Sequence, residues 1–216
     1  MQIDEKLIEE IVRAVIENVD GNQHPKDIST NQNNLENISA KNFLAGKTPA
    51  RLGTNPKEVV VGVGPAFQTE INKSINGLDL TEVLENIKAG IEEEGMTPRV
   101  VKVFKSSDVA FVGIEAAKLS GSGIGIGLQS KGTALIHQKD LYPLSNLELF
   151  PQAPLLDLEK YRAIGKNAAR YAKGEKVTPL EGQNNPMTRP KYQVKAAVMH
   201  IKETEKVNKN QLTIEW

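Results

Sequence analysis

Two short polar segments are the places where this sequence could do chemistry. Ser106, Ser107 and Asp108 follow an apolar run and precede a helical pattern. They can cap a helix, which is the commoner use of these residue types, or present hydroxyls and a carboxylate to a ligand. Further along, Ser130-Lys131-Gly132 places a flexible ammonium after another apolar run. That ammonium could bind a phosphate or an amide carbonyl, and a solvated surface lysine is the plain alternative.

The strand predicted just before this lysine has an unusual composition. Gly125 and Gly127 alternate with Ile124, Ile126 and Leu128, so one face of the strand is apolar and the other is nearly bare backbone. Something must approach that bare face closely. A ligand and a neighbouring helix explain the pattern equally well.

Several familiar sites are not predicted. Gly62-Val63-Gly64-Pro65-Ala66-Phe67 has two glycines of a dinucleotide fingerprint but lacks the third, and its proline removes an amide that would donate to phosphate. His24, His137 and His200 lack the spacing of metal ligands, so no protein-held metal is expected. Asp108 and His137 have no nucleophile at a recognisable spacing. A self-contained hydrolase is therefore not expected.

Composition narrows the function further. Lys+Arg and Asp+Glu both number 27 in 216 residues, so no global charge favours nucleic acid as a partner. The absence of cysteine excludes disulfides and a thiolate nucleophile, and it fits a reducing cytoplasm. No apolar run approaches the roughly 20 residues that span a bilayer, and the N-terminus is acidic where a signal peptide would be basic. The sequence predicts a soluble, cytoplasmic protein with no membrane partner.

The first 56 residues differ from the rest. Residues 1–19 predict an amphipathic helix, because eight apolar residues recur at helical spacing: Ile3, Leu7, Ile8, Ile11, Val12, Val15, Ile16 and Val19. Residues 20–56 are rich in Asn, Gln, Gly, Ser, Thr and Pro and predict a flexible linker. The helix gains little from propensity alone, so we expect it to bury its stripe against another surface or another helix.

Residues 57–216 predict one α/β domain. Strands and helices alternate, which indicates a doubly wound, mainly parallel sheet. In chain order the predicted elements are a strand at 59–63, a helix at 80–94, a strand at 99–104, a helix at 108–118, a strand at 123–128, a helix at 157–173 and an edge strand within 192–201. Ligands of such sheets bind beyond the carboxyl ends of the strands, where both polar segments are expected to lie.

Four segments are long and specific enough to identify relatives: residues 104–111, 129–132, 144–156 and 164–173. They closely resemble one family, the medium subunit of adenosylcobalamin-dependent diol and glycerol dehydratases, and residues 189–193 resemble it too. The resemblance covers nearly the whole chain except the linker. It implies a Rossmann-like domain that contacts the lower, base-on face of adenosylcobalamin, which is shared with a TIM-barrel large subunit. It also implies two copies each of large, medium and small subunits, assembled as a dimer of heterotrimers.

Transfer by position from this family gives seven expected cofactor-binding residues. Asp108, Lys131 and Arg189 would bind corrin amides or the nucleotide loop. Asn146 and Pro151 would lie near the lower face of the cofactor. The full set is Ser107, Asp108, Ser130, Lys131, Asn146, Pro151 and Arg189.

The resemblance implies a radical dehydration of 1,2-propanediol, glycerol or ethanediol to an aldehyde, in which the cofactor carries the chemistry. The helix plus linker is typical of the longer diol dehydratase type, and in relatives such a helix directs the enzyme into a bacterial microcompartment with shell proteins as partners. The reactivating factor is a further expected partner. Two alternatives are the small subunit of that factor, which is chaperone-like, and a stand-alone nucleotide-binding enzyme.

Overall fold

A mixed six-stranded β-sheet forms the centre of residues 48–216, which are the residues that the computed structural model describes. The predicted helix at 1–19 and the linker up to residue 47 lie outside the described residues. Within 48–216, no helix is both long and apolar enough to cross a bilayer.

Strands and helices alternate in the first half of this region, and short antiparallel strands follow. In chain order the elements are β1 (Glu58–Val63), α1 (Leu80–Glu93), β2 (Thr97–Lys102), α2 (Val109–Leu119), β3 (Ile124–Leu128), β4 (Ala134–Gln138), β5 (Glu148–Phe150), a 3-10 turn (Ala153–Leu155), α3 (Leu158–Ala172), α4 (Thr188–Glu205) and β6 (Ile214–Glu215).

The strand order is β5-β4-β3-β1-β2-β6. Only the three central strands are parallel: β1 pairs with β2 on one side and with β3 on the other. Strands β4, β5 and β6 each join their neighbours antiparallel. The α/β class is confirmed, but the predicted mainly parallel sheet is parallel only in its centre. The difference arises because β4 and β5 return through short loops rather than through helices.

Helices cover both faces of this sheet. Val59, Val61 and Val63 of β1 face a large apolar cluster built with α1 and α3. Val60, on the opposite face of the same strand, lies in a second cluster with Val112 of α2. All residues of β1 are buried, as expected for a strand with helices on both sides.

Glycines allow two very close contacts between backbones. A Cβ built on Gly125 would lie 2.3 Å from the amide nitrogen of Ala117, and one on Gly127 would lie 2.4 Å from the carbonyl oxygen of Val109. The bare face of β3 is therefore occupied by α2, and the structure decides for the helix over a ligand there. On the other side of the sheet, α1 and α3 approach so closely that a Cβ on Gly165 would lie 2.1 Å from the Ile87 carbonyl oxygen.

The edge strand predicted within 192–201 is wrong, because this segment lies in α4. Apolar and polar residues do alternate there, but a helical stripe is present too. Tyr192, Ala196, Met199 and Glu203, at spacings of four, three and four, form the side that packs on the protein. Burial of this stripe outweighs the local alternation.

The end of the predicted linker contacts the last strand. The amide of Ala50 donates to the Thr213 carbonyl at 2.8 Å, and the amide of Gly53 donates to the Leu119 carbonyl at 2.8 Å. Nearby, Arg99 bridges Glu58 of β1 and Glu215 of β6 at 2.7 and 2.9 Å. These bonds tie residues 48–53 to the β2 side of the sheet. The domain boundary at residue 57 stays a prediction.

We expect Gly165→Ala to lower the free energy of unfolding by about 1–3 kcal/mol, because the added methyl group overpacks the α1–α3 contact. The substitution would otherwise favour the helix by about 1 kcal/mol. Chemical unfolding of both variants measures the effect. Gly182→Ala is the matched control, since a Cβ there meets nothing within 4 Å. Equal stabilities of the two variants would contradict the close contact.

Candidate functional site

The candidate site lies at the carboxyl edge of the parallel strands. Strands β1, β2 and β3 end at this edge, and β5 runs in the same direction because it is antiparallel to β4. The loops that follow these strands carry most of the residues that the sequence assigned to a ligand. This is where ligands of open α/β sheets bind.

Helix α4 crosses this edge. Near its middle, the Lys195 ammonium donates to the Ile75 carbonyl at 2.6 Å. Near its end, the Thr204 and Ser107 hydroxyls lie 3.1 Å apart in a hydrogen bond. Between these points Glu203 reaches the turn after β1, and a Cβ on Gly64 would lie 1.7 Å from its carboxylate. Gly64 is therefore required for this close approach.

The turn between β3 and β4 presents Lys131. Gly132 has a φ of +102°, a conformation that favours glycine. The buried Tyr161 hydroxyl donates to the Gly132 carbonyl at 2.6 Å, and the Ile75 amide donates to the Lys131 carbonyl at 2.9 Å. Burial raises the pKa of Tyr161, so its hydroxyl stays protonated and able to donate. These bonds hold the lysine backbone in place.

A groove of about 690 Å³ opens beside this turn. Lys131, Pro151 and Arg189, which the sequence assigned to one ligand, all line it. They come from three different places: the β3–β4 turn, the loop after β5 and the first turn of α4. The structure therefore brings together three residues that are far apart in the sequence.

Several polar groups line the groove. Thr133 is 5% exposed, lines the groove, and its hydroxyl has no hydrogen-bond partner among the described residues. Buried hydroxyls are normally bonded, so an unpartnered one indicates a missing ligand atom or water. Amide side chains add further donors and acceptors around it: Gln152, Asn184, Asn185 and Gln193. Two cations, an unpartnered hydroxyl and several amides suit a large ligand rich in amides or carrying an anion.

The charge of Lys131 is set by opposing effects. Burial lowers its pKa, whereas the carboxylates of Glu203 and Asp108 act in the opposite direction. Asp108 caps α2 by accepting a hydrogen bond from the Ala110 amide at 2.7 Å. It also accounts for part of the field at Lys131. The sequence left helix capping and ligand binding as alternatives for Asp108. The structure shows that the two roles are compatible.

The remaining predicted residues lie at two different edges of the sheet. Ser130 is fully buried, with its hydroxyl close to Glu203 rather than in the groove. Ser107 bonds to α4 through its hydroxyl, and its carbonyl accepts from the Gln129 side-chain amide. Asn146 precedes β5 and therefore lies at the opposite, amino edge of the sheet. The structure does not bring Asn146 together with the other six.

The structure also separates the two residues that could have suggested acid–base chemistry. His137 is fully buried at the amino end of the β3–β4 pair, where its ring nitrogens lie 2.8 and 3.2 Å from the carbonyl oxygens of Gln138 and Pro143. Asp108 lies at the other edge. Among residues 48–216, no cluster of His, Cys, Asp or Glu is arranged to hold a metal ion.

The sequence analysis missed Thr133 and Glu203 as site residues. Thr133 follows Gly132 directly, and a short apolar run from 134 to 136 could have indicated the second strand of a hairpin. Glu203 continues the Tyr192, Ala196 and Met199 stripe at helical spacing. Read as a helix, that pattern would have predicted a carboxylate on a buried face.

Comparison with known proteins identifies a family. A family model described as "Dehydratase medium subunit" matches residues 64–178, which is slightly more than half of the chain. The match includes β2, β3 and the β3–β4 turn with Lys131, and it ends before α4.

Two solved structures share a weaker similarity. A chain described as "Glycerol dehydratase reactivase" is 19% identical, with 55% of this chain and 94% of that chain covered and a TM-score of 0.46. A chain from "Structure of diol dehydratase-reactivating factor complexed with ADP and Mg2+" is 21% identical, with 60% and 99% covered and a TM-score of 0.42. These values are too low to indicate what the present chain binds.

We expect Tyr161→Phe to lower the free energy of unfolding by about 1 kcal/mol, because the Gly132 carbonyl loses its buried donor. Hydrogen exchange of the amides at residues 129–133 should become faster as the turn loosens. Tyr142→Phe, at a side chain that is 84% exposed, is the matched control and should change neither. Unaltered exchange at the turn in Tyr161→Phe would show that the hydroxyl does not hold it.

Proposed function

The chain belongs to the dehydratase medium subunit family, and we propose that it is the medium subunit of a coenzyme-B12-dependent diol dehydratase. In this proposal it binds the lower, base-on face of adenosylcobalamin, and a large subunit holds the other face. The observation that carries the proposal is the groove in which Lys131, Pro151 and Arg189 meet. These residues were assigned to the cofactor by position, and a common groove supports that assignment.

The residues present fit this group. Corrin side chains end in amides and the nucleotide loop carries a phosphate, so a groove for them needs cations, amides and hydroxyl donors. Lys131 and Arg189 supply the cations. The Thr133 hydroxyl, which has no hydrogen-bond partner among the described residues, supplies a donor. The groove is open at the carboxyl edge, where a second subunit could cover the ligand.

In the proposed function this chain holds and shields the cofactor and contributes no acid or base. When bound, adenosylcobalamin supplies the radical chemistry through homolysis of its cobalt–carbon bond. Lys131 and Arg189 would bind polar groups of the cofactor, Pro151 would contact it through apolar atoms, and Asp108 would keep its position beside Lys131. Ser107 and Ser130 would support the loops rather than reach the ligand directly. Asn146 would need a contact at the far edge of the sheet.

The membership indicates a lyase-associated subunit, and we propose that the enzyme is a carbon–oxygen lyase. The finer assembly is part of our proposal: a dimer of heterotrimers with a TIM-barrel large subunit and a small subunit, served by a reactivating factor. Helices on both faces of the parallel centre support a Rossmann-like class for this domain. The proposed substrates are 1,2-propanediol, glycerol and ethanediol, which would be bound by the large subunit.

Two other functions are less well supported. The family match favours the enzyme subunit over the small subunit of the reactivating factor. A stand-alone nucleotide-binding enzyme would need the turn after β1 for phosphate. In this chain the Glu203 carboxylate lies against Gly64 in that turn, so an anion there would be repelled.

We expect Lys131→Ala to weaken cobalamin binding at least tenfold in a complex co-expressed with large and small subunits, because a charge-assisted contact is lost. Equilibrium titration of the complex with cobalamin measures this, alongside cobalamin-dependent aldehyde formation. Lys139→Ala, an exposed lysine that follows β4 at the amino edge, is the matched control and should bind normally. Equal affinity in both variants would remove Lys131 from the site.

The predicted helix at residues 1–19 has a proposed role of its own, which is to associate the enzyme with a shell component of a cytoplasmic bacterial microcompartment. Deletion of residues 1–20 should leave dehydratase activity intact, raise solubility and release the enzyme from the compartment fraction. A helix on an apolar stripe binds by burying that stripe, so Leu7→Asp should act like the deletion. Loss of cofactor binding in either variant would contradict the proposal.

A further inference from the structure

The burial of Glu203 lowers the stability of the folded chain. It is 3% exposed, and neither carboxylate oxygen has a hydrogen bond of full geometry among the described residues. Burial raises its pKa, and the nearby Ser130 hydroxyl, the Ser130 and Ala66 backbone and the Lys102 charge only partly offset this. An ionised carboxylate without full hydrogen bonding costs stability. A buried group that costs stability at the edge of a site has a functional reason more often than one elsewhere.

The position of Glu203 suggests the reason. It lines a small cavity beneath α4 together with Lys131, Gln129, Met199 and His200. Lys131 lines both this cavity and the large groove. The buried carboxylate and the lysine therefore border one cavity, and the charge of Glu203 acts on the ammonium of Lys131.

The titratable and charged groups around Lys131 come from two elements. Glu203, His200 and Arg189 belong to α4, and Asp108 lies in the loop before α2. Asp108 is exposed and its effect is screened by water, whereas Glu203 is buried and its field is not. Glu203 also feels the cation of Lys102 from β2.

We propose that Glu203 is a positioning residue for Lys131: its buried carboxylate is the fixed counter-charge that keeps the ammonium protonated and directed between cavity and groove. The proposal deepens the proposed function, since it concerns the same lysine. It does not depend on which ligand fills the groove.

The stability effect of the buried charge has a definite sign. Because the pKa of Glu203 is raised in the folded chain, folding favours its protonated form. Its contribution is best below the unfolded pKa and is lost as pH rises through the folded pKa. At neutral pH the ionised carboxylate therefore costs stability, and Glu203→Gln should raise the Tm by a few degrees. This rise follows from burial alone, so the effect of Glu203 on Lys131 needs a separate measurement.

The decisive experiment measures the pKa of Lys131 in the full chain without any cofactor. Lysines are labelled by reductive methylation with ¹³C, and the Lys131 signal is assigned by its absence in Lys131→Arg. Glu203→Gln should lower the pKa of Lys131 by about one unit, because an opposite charge nearby is removed. Glu205→Gln is the matched control, since Glu205 is exposed and on the same helix, and it should leave the Lys131 pKa unchanged.

Two further readings keep the result clear. Glu203→Asp retains the charge and should hold the pKa of Lys131 nearer to that of the unchanged chain, even where the variant is less stable. In the assembled complex, Glu203→Gln should bind cobalamin normally at low pH. As pH rises, its affinity for cobalamin should fall earlier than that of the unchanged complex. An unaltered Lys131 pKa in Glu203→Gln would overturn the proposal. A lowered Lys131 pKa together with a pH-independent affinity for cobalamin would support the positioning role of Glu203. The same result would show that Lys131 does not bind the cofactor.

Discussion

One buried hydrogen bond underlies the candidate site, from the Tyr161 hydroxyl to the Gly132 carbonyl at 2.6 Å. It joins α3 to the β3–β4 turn, which has no regular ladder of its own to hold it at the sheet edge. Gly132 supplies the left-handed conformation that lets the chain reverse within five residues. Lys131, Thr133 and Ser130 all belong to this turn, so this contact, together with the Ile75 amide that donates to the Lys131 carbonyl, positions the cation and the hydroxyls.

The opposite wall of the site is α4, a helix that contacts the sheet edge through few strong bonds. Lys195 bonds to Ile75 near the middle of the helix, and Thr204 bonds to Ser107 near its C-terminal end. Between them lies Glu203, whose burial works against the helix's attachment at neutral pH. The side of α4 away from the sheet exposes Val194, Val198 and Ile201. The helix therefore combines a buried acid and an exposed apolar face, an arrangement that favours function over the stability of the free chain.

Particular elements show where sequence reasoning succeeds and fails. Helix α1 was predicted within one residue, because its apolar stripe and the glycine after its end agree. The structure adds that Asp79 is its N-cap. Helix α4 was mistaken for a strand, because alternation over ten residues competes with a helical stripe that only burial can select. The hairpin of β3 and β4 was missed because β4 is only five residues long. The apolar pattern that would indicate a strand is therefore short as well. In the site, residue types at turns were recognised, but Thr133 and Glu203 became visible only through their burial.

By itself the sequence determined the α/β class, the absence of thiol chemistry, the polar segments after β2 and β3, and the family resemblance, since these depend on local pattern and residue type. The tertiary structure alone decided that α2 rather than a ligand covers Gly125 and Gly127. It also decided that Lys131, Pro151 and Arg189 share one groove, that Asn146 lies apart from them, and that Glu203 borders the same small cavity as Lys131. The physical reason is that distances between segments, and the burial of a charge, are set by how the helices pack on the sheet, which no local pattern specifies.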